Sequence, residues 1–96
     1  SINRPKGFRY SPINDAILYN HIDIFHFLKK EKIGDLNEHT ISYTVMSGNI
    51  KLFELIYDQK DYKAIPYYIN LALRYDKRDM YIHLLSIAIK NFCLYK

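Results

Sequence analysis

Four histidines, His21, His26, His39 and His83, and one cysteine, Cys93, are the side chains of this 96-residue chain best suited to ligate a metal or to carry acid–base and nucleophilic chemistry. Metal sites need several such ligands at short, regular spacing. No histidine pair stands at that spacing with a carboxylate or a second cysteine beside it. The glycines Gly7, Gly34 and Gly48 are scattered, so no phosphate-cradling loop is expected. A Ser-His-Asp or Cys-His grouping can be drawn only by arbitrary choice. The expectation is therefore a chain that is not an enzyme and holds no metal and no cofactor. His26, by its helical spacing from Phe25 and Leu28, faces solvent.

Two other groups suit recognition rather than catalysis. Asp76, Lys77, Arg78 and Asp79 form the densest charge cluster. At a helix start, its carboxylates would meet the positive end of the helix dipole, and the cluster reads first as an exposed turn. The tyrosines crowd the second half, at Tyr57, Tyr62, Tyr67, Tyr68, Tyr75, Tyr81 and Tyr95. Tyrosine joins a large apolar body to one polar tip, which suits contact surfaces and core edges alike. Tyr19 and Tyr75, with Leu18 and Arg74 beside them, are the candidate partner-binding residues, and Lys77 and Arg78 extend that set.

A repeat positions these side chains. Set in register at 28 residues, Ile13, Ile41 and Ile69 align, as do Ala16, Thr44 and Ala72, then Ile17, Val45 and Leu73. Farther on, Ile24 aligns with Leu52 and Met80, Phe25 with Phe53 and Tyr81, and Leu28 with Ile56 and Leu84. Internal periods on the order of 20 to 50 residues mark solenoids and arrays. Ile13, Ala16 and Ile17 share one face of a helix. Ser11 and Thr40 are expected N-caps, with Pro12 in the first turn, where proline is tolerated. The first helix of each unit should stop at Asn20, Gly48 and Asp76, because Asn, Gly and Asp accept the left-handed conformation of a tight helix end. A second helix follows, burying Ile24, Phe25 and Leu28 and their aligned equivalents, so Tyr81 is expected in the core. Such a hairpin cannot cover its own apolar face and must stack on the next one. The predicted fold is all-α: one domain over 1–96, with units at 11–38, 39–66 and 67–96 and an N-terminal arm or remnant cap at 1–10.

The stretch "SPINDAILYNHIDIFHFL" resembles the ankyrin repeat, whose first helix opens Thr-Pro-Leu-His-x-Ala; Ser11, Pro12, Ile13, Asn14 and Ala16 stand in those places. "NHIDIFHFL" and "GNIKLFELI" are similar to the family's second helix, while the third copy keeps register and loses identities. The resemblance covers about Ser11 to Ser86. It implies an ankyrin-like solenoid of about three repeats, a protein-interaction role, and a structural part for His21 at its turn. There are departures. The period is shorter than the family's, which is about 33 residues. The β-turn segments are missing from "KKEKIGDLNEH" and "YDQKDYKAIPY", and Asn14, Ser42 and Asn70 replace the signature His; these short polar side chains could still bond to a neighbouring repeat's backbone, but with less reach. Degenerate repeats of this composition resemble those of poxvirus and asfarvirus multigene families, which implies a host-directed, immune-modulating role.

Composition sets the remaining bounds. Ile, Lys, Asn and Tyr fill 41 of the positions, a bias toward A/T-rich codons. Net charge is +4 and the pI about 9.1, with small basic groups at Lys29, Lys30 and Lys32 and at Arg4, Lys6 and Arg9. That makes a small basic nucleic-acid-binding protein the alternative reading, with binding that would fall steeply as salt rises. Apolar runs are too short for a membrane span, and no signal-peptide pattern opens the chain. A lone cysteine forms no internal disulfide, which suits a reducing compartment, so an intracellular, cytoplasmic protein is expected, placed in the host cell if the viral resemblance holds. Ser1 in place of Met suggests processing or excision from a longer chain. The apolar ending, with Ile87, Ile89, Phe92, Cys93 and Leu94, predicts further repeats or self-association through Phe92 and Leu94.

Overall fold

The computed structural model describes residues 11–33, 36 and 39–92. Among them there is no strand. Helices α1 (Pro12–Leu18) and α2 (Ile22–Lys30) form a first hairpin, α3 (Thr40–Ser47) and α4 (Ile50–Ile56) a second, and α5 (Ile65–Arg74) and α6 (Arg78–Phe92) a third. Helix α1 packs on α2 and α3, α3 on α4 and α5, and α5 on α6. The first helices of the hairpins thus lie in a row, and the molecule measures 45 × 26 × 22 Å.

One turn geometry, used three times, makes this possible. Asn20, Gly48 and Asp76 all adopt left-handed backbone, with φ of 62°, 73° and 56°. In each turn the residue after it donates its N–H five residues back, from His21 to Ala16 O (2.8 Å), Asn49 to Thr44 O (3.0 Å) and Lys77 to Ala72 O (2.9 Å). The left-handed residue itself donates to Ile17, Val45 or Leu73 O, at 3.0 to 3.1 Å. This pair of bonds satisfies carbonyls that a helix end leaves orphaned and turns the chain within two residues. A fourth such turn, which residue type alone does not announce, closes α2: Lys32 has φ 58°, and Ile33 N–H donates to Leu28 O at 2.9 Å.

Neighbouring hairpins meet through residues 29 apart, one period plus one. Asn49 Nδ2 donates to Asn20 Oδ1 at 3.1 Å, while Asn49 Oδ1 accepts from Leu52 N–H at 2.9 Å and so caps α4. Lys77 lays its stem over Gly48; a Cβ added to that glycine would lie 3.0 Å from Lys77 Cδ. His83 contacts Glu54 by their side chains. Between these contacts run the apolar columns. Ala16, Thr44 and Ala72 are all buried, as are Phe25 and Phe53. Phe53 stacks on Tyr57 (4.8 Å between centroids) and meets Tyr68 and His83 of the third hairpin edge-on, at 6.2 and 6.0 Å.

Several expectations need correction. The N-cap of α3 is His39, and Thr40 is its first helical residue. Ser11 does cap α1, but by its carbonyl, which accepts from Asp15 N–H at 2.9 Å; its hydroxyl makes no capping bond. Helix α5 starts at Ile65, directly after a 3-10 turn over Gln59–Ala64 that lies within "YDQKDYKAIPY". Tyr81 is half-buried, not core, because it lies at the end of the row of described hairpins. Ile24 and Leu73 are exposed, at opposite ends of that row. Asn14 is fully buried, yet neither amide atom has a hydrogen-bond partner among the described residues, so it does not bridge to the next hairpin's backbone as expected.

Two stability changes follow from this geometry. Gly48→Ala imposes both a left-handed strain of about 1–2 kcal/mol and a crowded Lys77, so its urea midpoint should fall; an unchanged midpoint would refute the seam at Gly48. Asn14→Leu removes unpaired buried polar atoms worth about 1–3 kcal/mol, and its Tm should rise by several degrees.

Candidate interaction surface

The expected partner-binding residues gather around the inter-helix turns. Tyr19 ends α1 and is 45 % exposed. Leu18 beside it is half-buried and packs against the core. At the third turn Arg74 is exposed, whereas Tyr75 is half-buried and packs against the core. Tyr19 and Tyr75 therefore share a column without forming one continuous patch. Helix α3 lies between α1 and α5, with Ser47 in that column.

Lys77 and Arg78 divide between two roles. The stem of Lys77 is committed to Gly48. Arg78 opens α6 and is exposed. Together with Leu73, Asp76 and Tyr81 they line a cleft of about 270 Å³ at the end of the row. Basic and apolar groups thus adjoin there. Phe92, expected to mediate self-association, is partly exposed and meets Tyr62 edge-on at 5.5 Å, which ties the end of α6 to the 3-10 turn. Leu94 lies outside the described residues.

A second cleft, of about 330 Å³, holds Glu54, His83, Ser86 and Lys90. Sequence reasoning missed it, because Glu54 and His83 occupy different columns of the alignment. The signal was present in the offset of 29 that also joins Asn20 to Asn49. Serine, histidine and a carboxylate meet here, but Ser86 Oγ donates to the His83 carbonyl at 2.6 Å, one helical turn back. A hydroxyl so engaged is not aligned on the imidazole as a nucleophile must be. The pair instead joins the second hairpin to the third. His26, as expected, is exposed, with its ring edge-on to Phe25 at 5.2 Å. Lys29 and Lys30 close α2, where they complement the negative end of the helix dipole. Among the described residues, no three His, Cys, Asp or Glu side chains come together as a metal site would require. No helix there is long and apolar enough to cross a membrane.

Searches against protein-family models, curated proteins and solved structures return no match to this chain. The functional reading rests on the residues themselves.

One titration reports on the seam. Burial, then the charge of Asp61, then Tyr67 and Tyr57, push the Tyr68 hydroxyl up to about 12 from its ordinary 10.0. The folded state thus holds that proton more tightly than the unfolded chain. Stability is complete below pH 10 and drains away as pH rises toward about 12. Urea midpoints measured across that window should fall, and Tyr68→Phe should flatten the decline.

Proposed function

We propose that this chain is a non-catalytic protein-interaction module whose hairpins stack as ankyrin-like repeats and whose row of turns and adjoining helix ends docks a protein partner. The observation that carries the reading is the threefold use of one turn at a 28-residue interval, with φ of 62°, 73° and 56°. A fixed backbone thereby presents changing side chains: Tyr19, Ser47 and Tyr75 in one column, and Leu18 and Arg74 in the next, where Met46 between them is buried. Repeat arrays recognise partners by such variation on a constant frame. The exposed Tyr19, Arg74 and Arg78 are of the types that most often anchor protein interfaces. The likeness of composition to viral multigene families supports a host protein as that partner, met in the host-cell cytoplasm.

The test compares the chain with Tyr19→Ala/Arg74→Ala/Arg78→Ala as bait in host-cell lysate. All three residues project from the surface, so circular dichroism should be unchanged. A protein retained by the parent and lost by the triple variant, then reproduced with purified components and a Kd weakened at least tenfold, supports the reading. Equal retention by both baits, or none by either, refutes this surface.

A further inference from the structure

The two ends of the row carry complementary halves of one seam. Column by column, burial shows which way each residue faces. Ile17 and Val45 are fully buried, whereas Leu73, their equivalent in the last hairpin, is 56 % exposed. Phe25 and Phe53 are buried and Tyr81 only half so; Asn14 and Ser42 are buried and Asn70 exposed. These columns face forward, and the third hairpin has nothing in front of it among the described residues. The reverse holds in another column. Leu52 and Met80 are buried at 3 % and 0 %, whereas Ile24 in the first hairpin is 49 % exposed. Thr40 and Tyr68 are buried and Pro12 exposed. These columns face backward, and among the described residues nothing lies behind the first hairpin.

We infer that the forward face of the third hairpin binds the backward face of the first hairpin of a second copy, head to tail. This rests on the repeat-stack part of the proposed function and is independent of its docking surface. The occupant follows from the internal seams. Each forward face inside the row is covered by a backward face of the same repeat design, and among the described residues one example of each is left exposed, at Leu73 and at Ile24. The offset of 29 extends the match. It joins Asn20 to Asn49 and Glu54 to His83 inside the molecule. Continued into a second copy, those two positions bring Asp76 against His21 and Ile82 against Phe27. The first pairing sets a carboxylate beside a histidine. The second joins two apolar side chains that are both more than half exposed in the single chain. Opposite ends of a row cannot satisfy each other by two-fold symmetry, so the association is heterologous and grows by addition.

Sedimentation equilibrium on the full chain, with Leu73→Glu and Ile24→Glu, tests this. The parent should gain mass with concentration. Each variant alone should remain monomeric, because each keeps only one working face. Mixed in equal amounts, they should form a one-to-one dimer and stop, since the remaining faces carry glutamate. A parent that is monomeric at its highest soluble concentration overturns the inference. So does a Leu73→Glu monomer paired with an Ile24→Glu protein that associates like the parent, which would mean like-to-like contact through the third hairpin. Both positions are exposed, and circular dichroism checks folding; should either glutamate perturb it, Leu73→Gln and Ile24→Gln replace them with the same outcomes. Ile24 lies in the first hairpin, away from Arg74 and Arg78 of the third, so Ile24→Glu should abolish self-association while keeping the captured partner, and the two readings fail separately.

Discussion

Contact between adjacent hairpins carries this fold, because its helices cannot persist without it. Helices α1 to α5 have 7 to 10 residues, and isolated helices shorter than about 12–15 residues are marginal in water. The compensation is lateral burial, in which every hairpin lends its apolar side to the next. Phe53 shows how concentrated that support is: within one side chain's reach lie Tyr57 of its own hairpin and Tyr68 and His83 of the following one. Full burial of such a ring contributes about 1.5–3 kcal/mol, a large share of what a domain of this size has in reserve.

The left-handed turn converts that requirement into a regular shape. It closes a helix with two backbone bonds and releases the chain in the opposite direction, so the second helix lies back along the first. Where the turn residue is Gly48, the neighbouring hairpin moves in over it, and the Lys77 stem occupies the space a side chain would have filled. Where it is Asn20, the side chain itself reaches across to Asn49. The two chemistries join hairpins at the same place in the repeat, one by vacating space and the other by a hydrogen bond.

Much of the backbone plan was legible in the sequence. Asn20, Gly48 and Asp76 announced the three turns because few residue types tolerate positive φ. What escaped notice did so for physical reasons. Alignment in register compares equivalent residues, whereas a seam forms between unlike columns, so Glu54 and His83 stayed hidden from each other. Burial in a row depends on whether a neighbour exists, so Ile24, Leu73 and Tyr81 looked like core by type while lying at the ends. Lys32 takes a left-handed conformation that its side chain does not favour, held there by bonds around it. The 3-10 turn of Gln59–Ala64 has no counterpart among the described residues earlier in the chain, and periodicity does not reveal an element that is not repeated. Of the proposed docking surface, residue types marked Tyr19 and Arg74 as candidates, but only the packing separated these exposed side chains from the half-buried Leu18 and Tyr75.

The constancy of the spacing between seam partners also governs how such a chain can change length over generations. Inserting or deleting one whole unit leaves equivalent columns facing one another, because both edges of the cut are the same kind of surface, although pairs such as Glu54 and His83 would be exchanged for others. A change by any other number of residues slides the columns past one another and leaves a charge where a ring should sit. Unequal recombination between copies of the gene would therefore yield viable products in steps of one hairpin, a ladder of longer and shorter proteins that share an architecture and differ in reach.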